Sequence, residues 1–206
     1  MVRRGIQQYT HRGYHAKHPR EGAFFKKLLK QISPNSIRLA VTSSHVLTSL
    51  LREFSKDIIN TALEIESASK KRTLSAKSIQ TAVRLCLNGE LSRHAVASGV
   101  QAVSQAKTDK KPAIPISYVR NQIKSSLTIL RISKSACFYL SAVLEYLLSE
   151  ILELSINRAT NDKKRLITPR FIFLSICCDE ELNKTFNKPG TIFVQGGPYV
   201  FGNSYF

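Results

Sequence analysis

Two short runs set cations side by side, Lys70, Lys71 and Arg72, followed by Thr73, in the first half of the chain and Lys163, Lys164 and Arg165 in the second. Each run can neutralise phosphate oxygens, so polyanion binding is the first chemistry on offer. Lys26, Lys27 and Lys30, with Arg120 and Lys124, add cations on two short helical stretches. The amino-terminal ends of such helices also present amides and a positive dipole end to an anion. A solvated basic face is the plain alternative for these five; basic loops in both halves tip the reading towards phosphate. Phe and Tyr are not interleaved with the cations, which argues against a platform for stacking single-stranded bases.

Carboxylates form two groups, Glu145, Glu150 and Glu153 along one helix and Asp179, Glu180 and Glu181 just beyond the next. No His, Ser or Cys nucleophile, metal-ligand spacing or phosphate loop accompanies them, so the chain reads as a non-enzyme without cofactor or metal. Cys86, Cys137, Cys177 and Cys178 lie in apolar runs without CxxC or Cys/His spacing, which predicts buried thiols in a reducing compartment. His11, His15 and His18 have no Cys or carboxylate companions and read as part of a solvated tail.

The elements that position these groups are read from apolar spacing. Val46, Leu47, Leu50, Leu51, Phe54, Ile58, Ala62 and Ile65 recur at three- and four-residue steps, and Leu140, Val143, Leu144, Leu147, Leu148, Ile151, Leu154 and Ile156 repeat the pattern. Each half therefore reads short helix, long helix, short helix: 24–32, 41–69 and 76–87, then 117–125, 135–160 and 169–178. Pro169 suits a helix first turn, and Asn88-Gly89 and Pro189-Gly190 mark breaks. Residues 1–22 carry Arg and Lys but few large aliphatics and read as a basic disordered tail; 107–115, with Pro112 and Pro115, reads as a linker. A long apolar stripe flanked by two short helices lacks full local cover, and the chain carries a second copy to supply it.

The chain has 206 residues, 31 Lys and Arg against 14 Asp and Glu, and a formal charge of +17. That surplus predicts a polyanionic partner, nucleic acid first; the plain alternatives are a charge that only keeps the chain soluble, or binding to ribosomal RNA or anionic lipid, and charge alone does not choose among polyanions. The first residues hold no apolar core of a signal peptide, and no uninterrupted apolar run reaches the roughly 18 residues of a membrane span. A soluble, intracellular protein with neither membrane nor small-molecule substrate is expected.

The segment KSIQTAVRLCLNGELSRHAVASG (77–99) closely resembles the third and carboxy-terminal helices of histone 2B, and FFKKLLKQISPN (24–35) resembles its first helix. YLSAVLEYLLSEILELSINRAT (139–160) is similar to the median helix of histone 2A, and DEELNK (179–184) and TIFVQGG (191–197) to segments beyond that helix in the same family. The resemblance implies an all-α doublet: a histone 2B-like fold with its extra helix (23–106), the linker, a histone 2A-like fold (116–186) and a docking-like segment (187–206). Fused doublets in this order resemble those of certain giant DNA viruses. The expected places of action are chromatin and the nucleus or, for a virus, the virion and viral factory.

The same resemblance implies an intramolecular handshake that sets each half's first loop beside the other's second. Lys70, Lys71, Arg72 and Thr73 would then lie near Arg131, and Lys163, Lys164 and Arg165 near Ser36 and Arg38. Arg131 falls where the family inserts an arginine into the minor groove; the second such arginine is one residue early, at Arg165, with Leu166 after it. The two acidic groups would meet, with Glu90 joining them and Ser98 replacing a further carboxylate, as a patch that receives arginine-bearing partners. Implied partners are double-stranded DNA, a histone 4-histone 3 doublet or separate histones 3 and 4, and a second copy of this chain. Ser67 and Ala68 stand where the family carries residues for the histone 4 contact, so that joint is expected to be weak. A regulatory histone-fold DNA binder and an RNA-binding protein are the competing classes; the latter would show stacking residues.

Overall fold

The computed structural model describes residues 21–33, 37–107, 112–126, 131–186, 191–194 and 197–200. The three tail histidines, Ser36 and linker residues 108–111 lie outside the described residues.

Helix α1 (Glu21–Ile32) is followed by a two-residue strand β1 (Arg38–Leu39) and the long helix α2 (Val41–Ala68). β2 (Thr73–Leu74), α3 (Ala76–Cys86) and α4 (Gly89–Ser104) complete the first set. After a 3-10 turn at Gln105–Lys107 the order repeats as α5 (Ile116–Ser126), β3 (Arg131–Ile132), α6 (Lys134–Asn161), β4 (Leu166–Ile167) and α7 (Pro169–Cys178). Helix α8 (Glu180–Phe186) and an antiparallel hairpin of β5 (Thr191–Val194) and β6 (Gly197–Val200) end the described chain. Each long helix runs 28 residues, about 42 Å at the α-helical rise.

The sets correspond at a constant shift of 93 residues: β1 with β3, α2 with α6, β2 with β4, and Ala76 with Pro169 at the starts of α3 and α7. The ends of the long helices repeat down to individual hydrogen bonds. Lys70 N–H donates to the Ser67 carbonyl and Lys71 N–H to that of Glu66; Lys163 and Lys164 do the same to Thr160 and Ala159. This is the paired bonding of a Schellman ending, but lysine, not glycine, takes the left-handed position, with φ of 53° at Lys70 and 56° at Lys163. That conformation costs a residue with a Cβ about 1–2 kcal/mol.

Both sets share a single core. Phe25, Leu47, Ile58 and Ile79 of the first cluster with Leu140, Leu144, Leu147 and Ile172 of the second. Phe24 meets Tyr118 and Phe54 meets Phe186 across the halves, at ring separations of 5.7 and 5.6 Å. The buried Ser43 hydroxyl donates to the Ile167 carbonyl at 2.8 Å. Each large aliphatic so buried contributes about 1.5–3 kcal/mol, and much of it needs both halves at once. The tandem helical arrangement closed on itself is the one the resemblance implied.

Helix α6 differs from α2 in being buried on almost every side from Ala136 to Leu148, because α3, α4, α5 and α7 surround it. It is long and apolar enough to cross a membrane by composition, but 72% of that apolar window is buried among its neighbours, as for the central helix of a globular fold. Among the cysteines, Cys137 is buried and burial pushes its thiol up. Cys178, the last residue of α7, is exposed, contrary to the expectation of four buried thiols.

Candidate nucleic-acid interface and acidic face

Two parallel bridges join the halves. In one, β2 pairs with β3, setting Thr73 opposite Arg131 and Leu74 opposite Ile132; in the other, β1 pairs with β4, setting Arg38 opposite Leu166 and Leu39 opposite Ile167. The backbone bonds match: Arg131 N–H donates to the Arg72 carbonyl at 3.0 Å, and Arg38 N–H to the Arg165 carbonyl at 2.9 Å. Each bridge thus presents an arginine just before a long helix beside a Lys-Lys-Arg turn just after the other.

Lys70, Lys71, Arg72, Thr73, Arg131, Arg38, Lys163, Lys164 and Arg165 are all exposed. The shift that maps Arg38 onto Arg131 also maps Arg72 onto Arg165 and Thr73 onto Leu166. Arg165 is therefore in register with the first half's turn, and the difference between the edges is the partner of the leading arginine: a threonine for Arg131, a 41% exposed leucine for Arg38. Lys26, Lys27 and Lys30 on α1 and Arg120 and Lys124 on α5 are exposed too. Ser36 falls outside the described residues.

The turn at 70–73 is tied down in a way the sequence reading missed. Ser75 caps α3 by accepting from the Ser78 amide. A capping box would carry Glu or Gln at that third position, and this chain has serine. The carboxylate comes instead from Glu66 near the end of α2, 1% exposed, whose Oε1 accepts from the Ser75 amide at 3.2 Å, the Ser75 hydroxyl at 3.1 Å and the Ser78 hydroxyl. Burial pushes the Glu66 carboxyl up, but the bonds from Ser78 and Ser75 and the charge of Lys71 outweigh it, and the net displacement is downward. The one sequence signal was an acid standing within an otherwise apolar stripe.

The acidic residues do converge, but most already have work within the chain. Glu181 Oε1 and Oε2 accept from the amides of Glu90 and Leu91 at 2.9 and 2.7 Å, closing the first turn of α4. Gly89 makes room: its φ is +60°, and a Cβ there would sit 1.8 Å from Glu181 Oε1. Asp179 accepts from the Leu182 amide at 2.7 Å and so caps α8. Glu180 pairs with Lys184 at 2.6 Å, which holds its carboxyl below the usual range. Glu90 pairs with Arg93 at 2.5 Å and stands 4.0 Å from His94.

Glu145 is half-buried and accepts from the Ala113 amide at 2.6 Å, so it fastens the segment just before α5 to α6. Burial pushes its carboxyl up, partly offset by the amides of Ala113 and Ile114 and the charge of Lys27. Among the described residues, Glu150 and Glu153 are the carboxylates of this set held by neither a hydrogen bond nor an ion pair, although the His94 imidazole acts on Glu150 through space. Burial pushes Glu150 up, and Glu153, Asp179 and Glu181 push it further, against His94. Tyr146 beside them is pushed up to about 12 by burial, then by Glu150 and by Glu181, Glu153 and Asp179. Ser98 lines a cleft with Glu145 and Tyr146. The face is a concentrated negative field with two carboxylates available to a cation.

Residues 23–83 match the family described as histone-like transcription factor (CBF/NF-Y) and archaeal histone. A histone 2B variant of Dictyostelium discoideum is 43% identical over 87% of this chain and 90% of its own length. A histone 2A of Lodderomyces elongisporus is 40% identical over 52% of this chain and 86% of its own. The crystal structure of the histone from Methanopyrus kandleri, at 17% identity, matches with a TM-score of 0.51 over 76% of this chain and 92% of that one. One archaeal chain therefore covers elements of both halves here, which bears on fold alone.

Proposed function

The chain belongs to the histone family, and from that premise we propose that it is a structural nucleosome core subunit that wraps double-stranded DNA without reading its sequence. It is a fused histone 2B-like and histone 2A-like doublet, associated with chromatin, and not an enzyme. In this reading 1–22 is a basic tail, 23–106 and 116–186 are the two folds, 107–115 tethers them, and 187–206 docks on a partner.

One observation carries the reading: each bridge sets an exposed arginine against a Lys-Lys-Arg turn from the other half. Cations so placed release counterions from phosphate without touching base edges. Lys26, Lys27, Lys30, Arg120 and Lys124 add to the same surface. A single handshake offers a short arc, whereas bending a stiff duplex must be offset by contacts repeated along it. The partners are therefore a histone 3 and histone 4 pair, fused or separate, and a second copy of this chain. Leu85 on α3, 65% exposed, is apolar surface for that joint. Glu150 and Glu153 serve arginine-bearing partners, and a viral origin would place the particle in a virion or viral factory.

Nuclease digestion of reconstituted complexes tests the function: one discrete protected length, only when the partner pair is present, is expected. A diffuse ladder in both cases would leave a basic coating protein. The matching family description also names transcription factors, and strong preference for one short DNA motif would favour that regulatory reading.

A further inference from the structure

We propose that Glu66 is a positioning residue for the DNA edge at Arg131, acting through the Lys70–Thr73 turn, and that it makes this edge the more ordered of the two; the inference rests on the DNA reading above. The turn lies between two fixed points. On one side the Lys71 amide is bonded to the Glu66 carbonyl; on the other the Ser75 amide and hydroxyl are bonded to the Glu66 carboxylate. A single residue thus holds the chain on both sides of Arg72 and Thr73, the two residues that meet Arg131, just after the left-handed Lys70.

At the other edge the equivalent position is Ala159, which has only its backbone carbonyl to offer, to Lys164. Thr168 there makes no side-chain cap bond, and Pro169 occupies the first turn of α7. The two turns have the same three cations and the same backbone path, but among the described residues a side chain closes the first and none closes the second. Contacts that are already ordered lose less freedom on binding, so cations on the first turn engage phosphate more completely.

Because Glu66 is acidic, the inference has a sign opposite to simple charge. Glu66→Ala raises the net charge above +17, which by long-range electrostatics alone strengthens duplex binding. Positioning predicts the reverse: weaker binding, a salt slope lower by about 0.9, equivalent to one phosphate, and faster hydrogen exchange at the Ser75 and Ser78 amides with the 163–166 turn unchanged. Adding Ser78→Glu to Glu66→Ala restores the original charge and rebuilds the cap from within α3; it should return both slope and exchange to the starting values.

The full chain, short duplexes of unrelated sequence and Arg131→Ala as a reference complete the experiment. If Arg131→Ala lowers the slope and Glu66→Ala does not, the positioning role is overturned while the DNA reading stands. If neither changes binding, the DNA reading itself falls. Failure of Ser78→Glu to rescue, or loss of folding in the double variant, would show that Glu66 acts by packing and overturn the proposal.

Discussion

Replacing Glu181 by alanine removes the carboxylate that closes α4 across the two halves. Two bonds are lost, to the amides of Glu90 and Leu91 at 2.9 and 2.7 Å. Hydrogen bonds to a charged group contribute about 1.5–3 kcal/mol each when buried, but the Glu90 amide is exposed and can turn to water. The loss then resembles that of a helix cap, about 0.5–2 kcal/mol, with most of the penalty at the part-buried Leu91 amide. Removing a negative charge next to Glu150, Glu153 and Asp179 returns something under about 1 kcal/mol at this exposure. The balance is a destabilisation of about 1 kcal/mol, which for a chain of this size lowers the melting temperature by about 2–4 °C. Thermal unfolding by circular dichroism and amide exchange at Glu90 and Leu91 form the assay. An unchanged melting temperature with both amides still protected would show that the carboxylate does not hold them and refute the capping role; faster exchange at an unchanged melting temperature would show that water replaces it at no loss.

Other perturbations test the same geometry. A Cβ at Gly99 would lie 2.5 Å from the Tyr139 ring, whose hydroxyl donates to the Val96 carbonyl, so Gly99→Ala should lower stability by about 1–3 kcal/mol through overpacking, read by chemical denaturation. Lys70→Gly relieves the left-handed strain at φ 53° and should raise stability by up to about 1 kcal/mol while lowering the DNA salt slope; a variant that gains neither stability nor loses slope would contradict both roles given to Lys70. The folded-state Glu150 carboxyl is displaced upward, so its ionisation opposes folding increasingly as pH rises from the ordinary carboxylate range through that displaced value. Glu150→Gln should therefore stabilise at neutral pH and make no difference in acid, as melts across pH will show. For Glu66, displaced downward, the order is reversed: its stabilisation is present above the ordinary range and is lost as pH falls through the folded value.

The two long helices were legible because burial at three- and four-residue steps marks a sequence directly, as in Val46, Leu47, Leu50 and Leu51. The ends were less so: α1 begins at Glu21, three residues before Phe24, where Glu21, Gly22 and Ala23 bring no large apolar side chain and so no periodic signal. The bridges were available only through resemblance, since nothing local in Thr73 or Arg131 declares the other. Roles of individual acids were the least readable. Glu181 was expected to receive a partner's cation, yet it holds amides 90 and 91 residues away, and Glu145 holds one 32 away. Charge is visible in a sequence, but prior engagement of that charge is decided by contacts that only the folded chain makes.

The two bridges differ in one more respect, their separation along the chain. Thr73 and Arg131 are 58 residues apart, Arg38 and Leu166 are 128. Closing a loop costs about 0.6 kcal/mol more for each doubling of its length, so the outer bridge starts at a disadvantage of roughly one doubling. Refolding should then proceed from the linker outward, with protection of the Arg131 amide preceding that of the Arg38 amide in pulsed exchange. Severing the chain at 108–111 would make both closures bimolecular and remove the order, leaving refolding rates that depend on concentration.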